Sequence, residues 1–478
     1  MTRRRFGLGC ATLGSTTLFS SLVHLGAMSS ASAQASAAQG DYRALVCILL
    51  AGGNDSFNMV APASGSEYAD YLQVRSDLAL AQSDLLPLNV ENTPGRSFGL
   101  HPSMPRVQQL FNQGNAAVVA NVGTLVEPVT LSTYRSGAAR LPLGLFSHAD
   151  QIEQWQTAVP DERAATGWGG RLADMLRGGM ENTPVSMSIS LGGTNVFQSG
   201  ELTSSFSITE RDDGAVNIEG YGEPDWALRD AVINSMLNAQ YANIFEQAYA
   251  ARLKSSIESN QFFGAALAGT AAVKTAFSDE PLSQQLRMVA RTISARQALR
   301  TKRQTFFVLL GDFDHHDEVI SNQARQLGRL DRALGSFYEA LVELGMENDV
   351  TAFTVSDFGR TLTSNGRGSD HGWGGNQLVL GGGVRGARFY GDYPALAAGN
   401  PLDTGRGRLI PTRSVDEYFA ELALWFGVPR SALDHVLPNV GRFYSPSSAE
   451  PPMGFLARPG ARTSQPWRRR PPSNAPQQ

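Results

Sequence analysis

Five short, almost uninterrupted apolar runs constrain this chain more than any other feature. Residues 43–51, Ala116–Val122, Thr305–Leu310, Val350–Val355 and Gln377–Leu380 lack the alternation of a strand with one wet face. Such runs suit strands buried on both sides of a mainly parallel sheet. Between them the spacing turns helical, over Ser103–Gln113, Ser147–Gln156, Trp226 to about Ser259, Leu282–Lys302 and Leu327–Leu344. Ser414-Val415-Asp416-Glu417 is a capping box that opens one more helix, stopped by Gly427. Strands alternating with helices specify an α/β fold: a three-layer sandwich with helices on both faces of a mainly parallel central sheet. Residues 185–220, loosely alternating and rich in Gly, Ser and Thr, read as short strands or an excursion from that sheet. A chain of 478 residues, 42% hydrophobic, suffices for one large domain of this kind or for two to three ordinary ones.

Both ends differ from this body. Arg3-Arg4-Arg5-Phe6, a mildly apolar stretch from Gly7 to Met28, and Ser30-Ala31-Ser32-Ala33 have the layout of a signal peptide over residues 1–33. The paired arginines resemble the twin-arginine type, which exports folded proteins. Cleavage is expected after Ala33, with Ala37 the alternative. The segment is too polar to make a good spanning helix, so the mature chain is expected to carry no transmembrane anchor and to be periplasmic or secreted. Cleavage removes Cys10 and leaves Cys47 without a disulfide partner. Residues 451–478 are expected to form a disordered Pro/Arg-rich tail. The net charge is −4, and the basic residues of the two ends stand apart from any acid, so the body between is more acidic than that total. That balance argues against nucleic acid as a partner.

The chemistry-bearing residues cluster just past the carboxyl ends of the apolar runs, where open α/β sheets place their sites. Asp55 follows the first run, Asp314 and His316 a later one, Asp357 the next, and Asp370-His371 lies in a glycine-rich loop before the last. Carboxylates with neutral imidazoles suit a divalent ion, zinc foremost, with manganese, calcium or magnesium as alternatives. His148 adds a fourth histidine at a loop–helix junction, beside His315, His316 and His371. Taken singly, Asn54-Asp55 also suits an Asx-turn, Asp314 a helix cap, Asp357 a structural pair with Arg360, and His371 packing beside Trp373. Their joint position at successive strand ends favours one shared metal site. Ser147, at a helix N-terminus with Asp150 three residues on, reads first as an ordinary N-cap, and it is also the candidate nucleophile. Arg360 has two readings, a grip on a substrate anion or neutralisation of the local carboxylates. Gly381–Gly386 formally matches a dinucleotide-binding fingerprint, but no amphipathic helix follows it.

In order along the chain, Leu50-Ala51-Gly52-Gly53-Asn54-Asp55-Ser56-Phe57-Asn58, Phe146-Ser147-His148-Ala149-Asp150-Gln151, Gly311-Asp312-Phe313-Asp314-His315-His316-Asp317, Ser356-Asp357-Phe358-Gly359-Arg360-Thr361 and Ser369-Asp370-His371-Gly372-Trp373-Gly374 resemble the domain-of-unknown-function 1501 family over roughly residues 41–445. That family is similar to the alkaline phosphatase and sulfatase superfamily, whose α/β sandwich holds two metals at strand ends. The resemblance implies metal ligation by Asp55, Asp314, His316, Asp357 and His371, with Ser147 in the nucleophile's place. Two departures stand out: Phe358 occupies the histidine position of the superfamily's Ser-Asp-His-Gly motif, and Asp314 and His316 are unusually close in sequence. One ion or two are therefore both compatible. The expected activity is exported, metal-dependent hydrolysis of phosphate or sulfate esters, small-molecule or glycan. The alternative is a non-catalytic member acting as a binding or maturation partner of an envelope protein; a carbohydrate-processing accessory is a more remote reading. The intact mass of the exported protein is expected to correspond to a chain starting at Gln34; retention of Met1 outside the cytoplasm contradicts the signal-peptide reading.

Overall fold

The computed structural model describes residues 42–457, apart from 178–183, 212–213, 215–217, 219, 382 and 398. The signal-peptide segment and residues 458–478 of the basic tail lie outside the described residues. A nine-stranded sheet forms the centre. Its order is Phe389–Tyr390, Ala116–Gly123, Gly375–Leu380, Val350–Ser356, Arg43–Leu50, Arg303–Leu310, Ser188–Ser190 and Phe206–Ser207, with Arg413–Ser414 also on Ala116–Gly123. Arg43–Leu50 runs parallel to both of its neighbours, so three strands deliver their carboxyl ends to one pole. Gly375–Leu380 runs antiparallel to the strands on either side of it, which makes the sheet mixed although mostly parallel. An apolar run carries no mark of direction, and the sequence pattern could not have shown this reversal.

Strand periodicity builds two cores from one sequence. Ala44, Val46, Ile48 and Leu50 face one apolar cluster, while Leu45, Cys47 and Leu49 face the other. Helices Pro105–Asn112, Pro281–Ser294 and Val319–Leu344 fill the first cluster. Helices Trp168–Leu176 and Val415–Phe426 fill the second. The three-layer α/β sandwich follows from burying both faces of every central strand. Among the described residues no helix is long and apolar enough to cross a membrane.

Several elements depart from expectation for physical reasons. The helix expected to begin at Leu327 begins at Val319, because buried polar Gln323 and Gln326 occupy its inner face and break the apolar pattern. Residues 56–100, unassigned by sequence, hold a helix Gly65–Arg75 and a small antiparallel sheet of Val60–Pro62, Leu86–Leu88 and Phe98–Leu100. The start of the expected tail belongs to the body. Phe455 and Leu456 are buried, and Glu421 accepts the backbone N–H groups of Met453, Gly454 and Leu456 at 3.1–3.2 Å. Two apolar side chains and a buried carboxylate thus anchor a segment whose prolines suggested disorder.

The capping box at Ser414 is present, with the Glu417 carboxylate accepting from the Ser414 N–H at 3.0 Å. Its neighbour Asp416 is fully buried, and Asp416 Oδ1 has no partner. Burial pushes the Asp416 carboxyl up to about 7, against the lowering effect of the Ser414 hydroxyl and the Asp416 backbone N–H. The folded protein therefore holds a proton that the unfolded chain has released by about pH 4. This contribution to stability is complete at low pH and is lost as pH rises through 7. Thermal unfolding between pH 4 and 7 should show a decline attributable to this site that is absent in Asp416→Asn; identical slopes in the two proteins would contradict the assignment.

Candidate metal centre

At the pole where the strands end, the backbone first sets the loops. Gly52 has φ +114°, and a Cβ there would lie 2.4 Å from the Asp314 nitrogen, so only glycine lets the two strand-end loops meet. The Gly52 N–H then donates to both Asp357 carboxylate oxygens, at 3.0 and 3.1 Å. Residues Gly359–Thr361 pair with Asp370–Trp373 through an antiparallel bridge between Arg360 and His371. On the other side, helix His148–Thr157 begins beside Asp357, with the Trp155 indole donating to the Asp357 carbonyl at 3.1 Å.

Three imidazoles converge, each held by its Nδ1. His148 Nδ1 lies 2.6 Å from Asp357 Oδ2, His371 Nδ1 lies 2.8 Å from the Phe146 carbonyl, and His316 Nδ1 lies 3.1 Å from Asp370 Oδ1. Each of these oxygens can only accept, so each Nδ1 carries a hydrogen, and a ring in its neutral form presents its Nε2 lone pair. The His371 Nε2 lies 3.1 Å from that of His148 and 3.0 Å from that of His316. Lone pairs this close repel unless a proton or a cation lies between them. The single lone pair of His371 can receive only one proton, whereas one cation can relieve both contacts. The Asp314 carboxylate completes the group: Oδ1 lies 3.0 Å from His316 Nε2 and 3.5 Å from His371 Nε2, and Oδ2 lies 3.4 Å from His148 Nε2. One ligand atom from each of His148, Asp314 and His371 lies within 4.8 Å of the others, a group that could hold a metal ion.

The surroundings tune these groups. Hydrogen bonding to Asp357 raises the His148 pKa despite partial desolvation. Desolvation lowers that of His371, aided by the positive fields of His148 and Arg360. Partial burial would push the Asp314 carboxyl up, but the hydrogen bond and charge of Arg360 outweigh it and hold the group low. Asp370 is likewise pushed up by desolvation but held at about 2 by hydrogen bonds from Asn365, Arg406 and His316. The Phe358 ring stacks on His371 at 4.6 Å and meets His148 at 4.7 Å between centroids. This side chain, next to Asp357 in sequence, thus packs against two of the converging rings.

A sequence model of the family described as "Protein of unknown function (DUF1501)" matches residues 42–404. The chain belongs to that family. No curated protein matches it by sequence. Solved structures similar to it include a Pseudoalteromonas sulfatase, PsFucS1, at 9% identity and TM-score 0.31, covering 84% of this chain and 71% of that one. The soluble domain of lipooligosaccharide phosphoethanolamine transferase A from Neisseria meningitidis matches at 9% identity and TM-score 0.32, covering 80% and 87%. The alkaline phosphatase PafA matches at 12% and 0.27, covering 66% and 63%.

In this DUF1501 protein, Asp314, His316 and His371 come together as the strand-end pattern suggested, and the fourth member of the group is His148. The sequence counted His148 as a fourth histidine at a loop–helix junction but did not place it among the expected metal ligands. Asp357 is fully buried and holds His148 from behind. Arg360 is buried too: it donates to Asp314 at 2.8 Å, to the Gly52 carbonyl at 3.2 Å and to Ser369. Of its two expected roles, the geometry matches the neutralising one. Ser147 is the N-cap of its helix without a side-chain capping bond, between His148 and Phe146, a residue at φ 74°. Asp55 forms a buried ion pair with Arg75 and is not part of the converging group of His148, Asp314 and His371. Arg75 also donates to Asn58 at 3.1 Å and to the Thr361 carbonyl at 2.9 Å. Replacing Arg75 by Met leaves Asp55 buried and uncompensated, and urea unfolding is expected to show a loss of about 3–5 kcal/mol. The double variant Asp55→Asn, Arg75→Met should recover part of it; a single-variant loss within experimental error would contradict the structural role of the pair.

Proposed function

We propose that the protein is an exported, metal-dependent hydrolase of phosphate or sulfate esters, periplasmic or secreted through the twin-arginine route. The observation that carries this reading is the convergence of three Nε2 lone pairs and one carboxylate, with every Nδ1–H fixed on an oxygen acceptor. Outer acceptors of this kind set the tautomer and basicity of metal-ligating histidines. His148, Asp314 and His371 would hold a divalent ion, zinc foremost, with His316 as the further ligand that leaves room for a second. When bound, such an ion would supply positive charge for an ester oxyanion and lower the pKa of an adjacent hydroxyl. Arg360 keeps Asp314 ionised from beneath, Asp357 holds His148 in place, and Phe358 limits rotation of two rings. Ser147, at the positive end of its helix, supplies the attacking hydroxyl.

A second reading, a non-catalytic partner of an envelope protein, is favoured by one observation. Leu228, Ile244, Phe245 and Tyr249 are 71–83% exposed on two successive helices, Ala227–Leu237 and Ile244–Ala268. An apolar surface of this kind is more often covered than left in water. Co-purification of a defined envelope protein, together with no turnover across an ester panel, would favour it.

The metal content of protein purified without chelators or a histidine tag should be about one or two equivalents. Asp314→Ala and His371→Ala should lose the metal, and Asp357→Asn should bind it about 10–100-fold more weakly. A metal-free wild type with both alanine variants folded normally would overturn the metal-dependent reading. Turnover of phosphate and sulfate esters by the metal-replete protein should disappear on chelation, and undiminished turnover in Ser147→Ala would assign the attack to water.

A further inference from the structure

With Arg360 buried beneath Asp314, the substrate's negative charge needs a different receptor. The arginines around the pole sort themselves by partner. Arg360 pairs with Asp314, Arg406 with Asp370, and Arg367 with Asp317 at 3.3 Å. Arg408 differs. Its Nε donates to the carbonyl of His371 at 2.9 Å, and its guanidinium carbon lies 4.8 Å from the centre of the Phe146 ring. Among the described residues its two Nη groups meet no carboxylate and no carbonyl.

Both anchors belong to the candidate centre. His371 supplies the middle imidazole of the three, and Phe146 precedes Ser147 and accepts the His371 Nδ1–H. The Arg408 side chain is half-buried and its loop is rigidly held. Asp403 accepts the N–H groups of Gly405 and Gly407 at 2.8 and 2.9 Å, and a Cβ on Gly407 would lie 2.4 Å from that of Leu362. A guanidinium fixed through Nε and stacked on an aromatic face keeps its outer N–H donors free for a planar, two-point grip on an oxyanion.

We propose that Arg408 is the residue that binds the anionic group of the substrate, a tetrahedral oxyanion carried by a phosphate or sulfate ester. The inference rests on the hydrolase reading of the same site and adds to it the group that recognises charge. Arg408 is a binding residue for the ester's non-bridging oxygens; Arg360 orients Asp314.

Isothermal titration calorimetry with inorganic phosphate and, separately, inorganic sulfate tests this on metal-loaded protein, with metal content measured on the same samples. The wild type should bind one of the two more tightly, which assigns the ester class. Arg408→Ala and Arg408→Gln should weaken that binding by about 10–100-fold at unchanged metal content. Arg408→Lys, which keeps the charge and loses the fork, should fall between. Arg367→Ala removes a cation already paired with Asp317 and should change the affinity by less than about twofold. Unchanged affinity in folded Arg408→Gln, an equal loss in Arg367→Ala, or a wild type that binds neither anion would each overturn the inference. Ester hydrolysis with normal anion affinity in Arg408→Gln would leave the hydrolase reading standing without Arg408. Anion binding through Arg408 with no turnover of any ester would do the reverse.

Discussion

The Asp357 carboxylate is the interaction on which the pole of this molecule depends. It sits immediately past the Val350–Ser356 strand, wholly shielded from water, and ties that strand to its neighbour through the Gly52 N–H and to a helix through His148. A carboxylate taken out of water must be hydrogen-bonded or paired, and here its donors, the Gly52 N–H and His148 Nδ1, come from two parts of the chain far apart in sequence. That requirement fixes the start of helix His148–Thr157 over the sheet and points His148 Nε2 at the other imidazoles. The glycines before Asn54 are equally necessary, since a side chain at Gly52 would force apart the loops that bring Asp314 and Asp357 together.

Charge around the centre is arranged in pairs that run outward from the imidazoles. Asp314 is balanced by buried Arg360 and Asp370 by Arg406, while Asp357 is shared between an N–H and His148. The Nε2 atoms of the three rings face one another inside this frame, each ring held by an acceptor at its Nδ1. Deeper still, the Asp55–Arg75 pair joins the small antiparallel region to the Thr361 backbone, one residue beyond Arg360. The insertion between the first two central strands thereby braces the segment that carries Asp357, Phe358 and Arg360.

Much of this was legible in the sequence, for identifiable reasons. Continuous apolar runs marked the central strands because both faces are buried, and polar residues at their ends marked the pole. Asp314, His316 and His371 were found in this way. Other features depend on contacts that no local pattern encodes. The antiparallel direction of Gly375–Leu380 leaves no trace in an apolar run. The partner of Asp55 lies on a helix of polar character, so the aspartate looked like one more strand-end ligand. His148 lies at a helix start, away from any strand end, and only the fold brings it to Asp357. Arg360 looked available for an anion because burial of an arginine depends on the surrounding loops, and Arg408, in an irregular stretch, offered no motif at all.

Whether the Nε2 atoms of His148 and His371 share one cation is decided by anomalous diffraction at the zinc edge from crystals of the zinc-loaded protein. A shared site requires a peak bounded by His148 Nε2, His371 Nε2 and the Asp314 carboxylate, with Asp55 still paired to Arg75. A zinc-loaded crystal with no peak between those groups, or with its peak at Asp55, would contradict it.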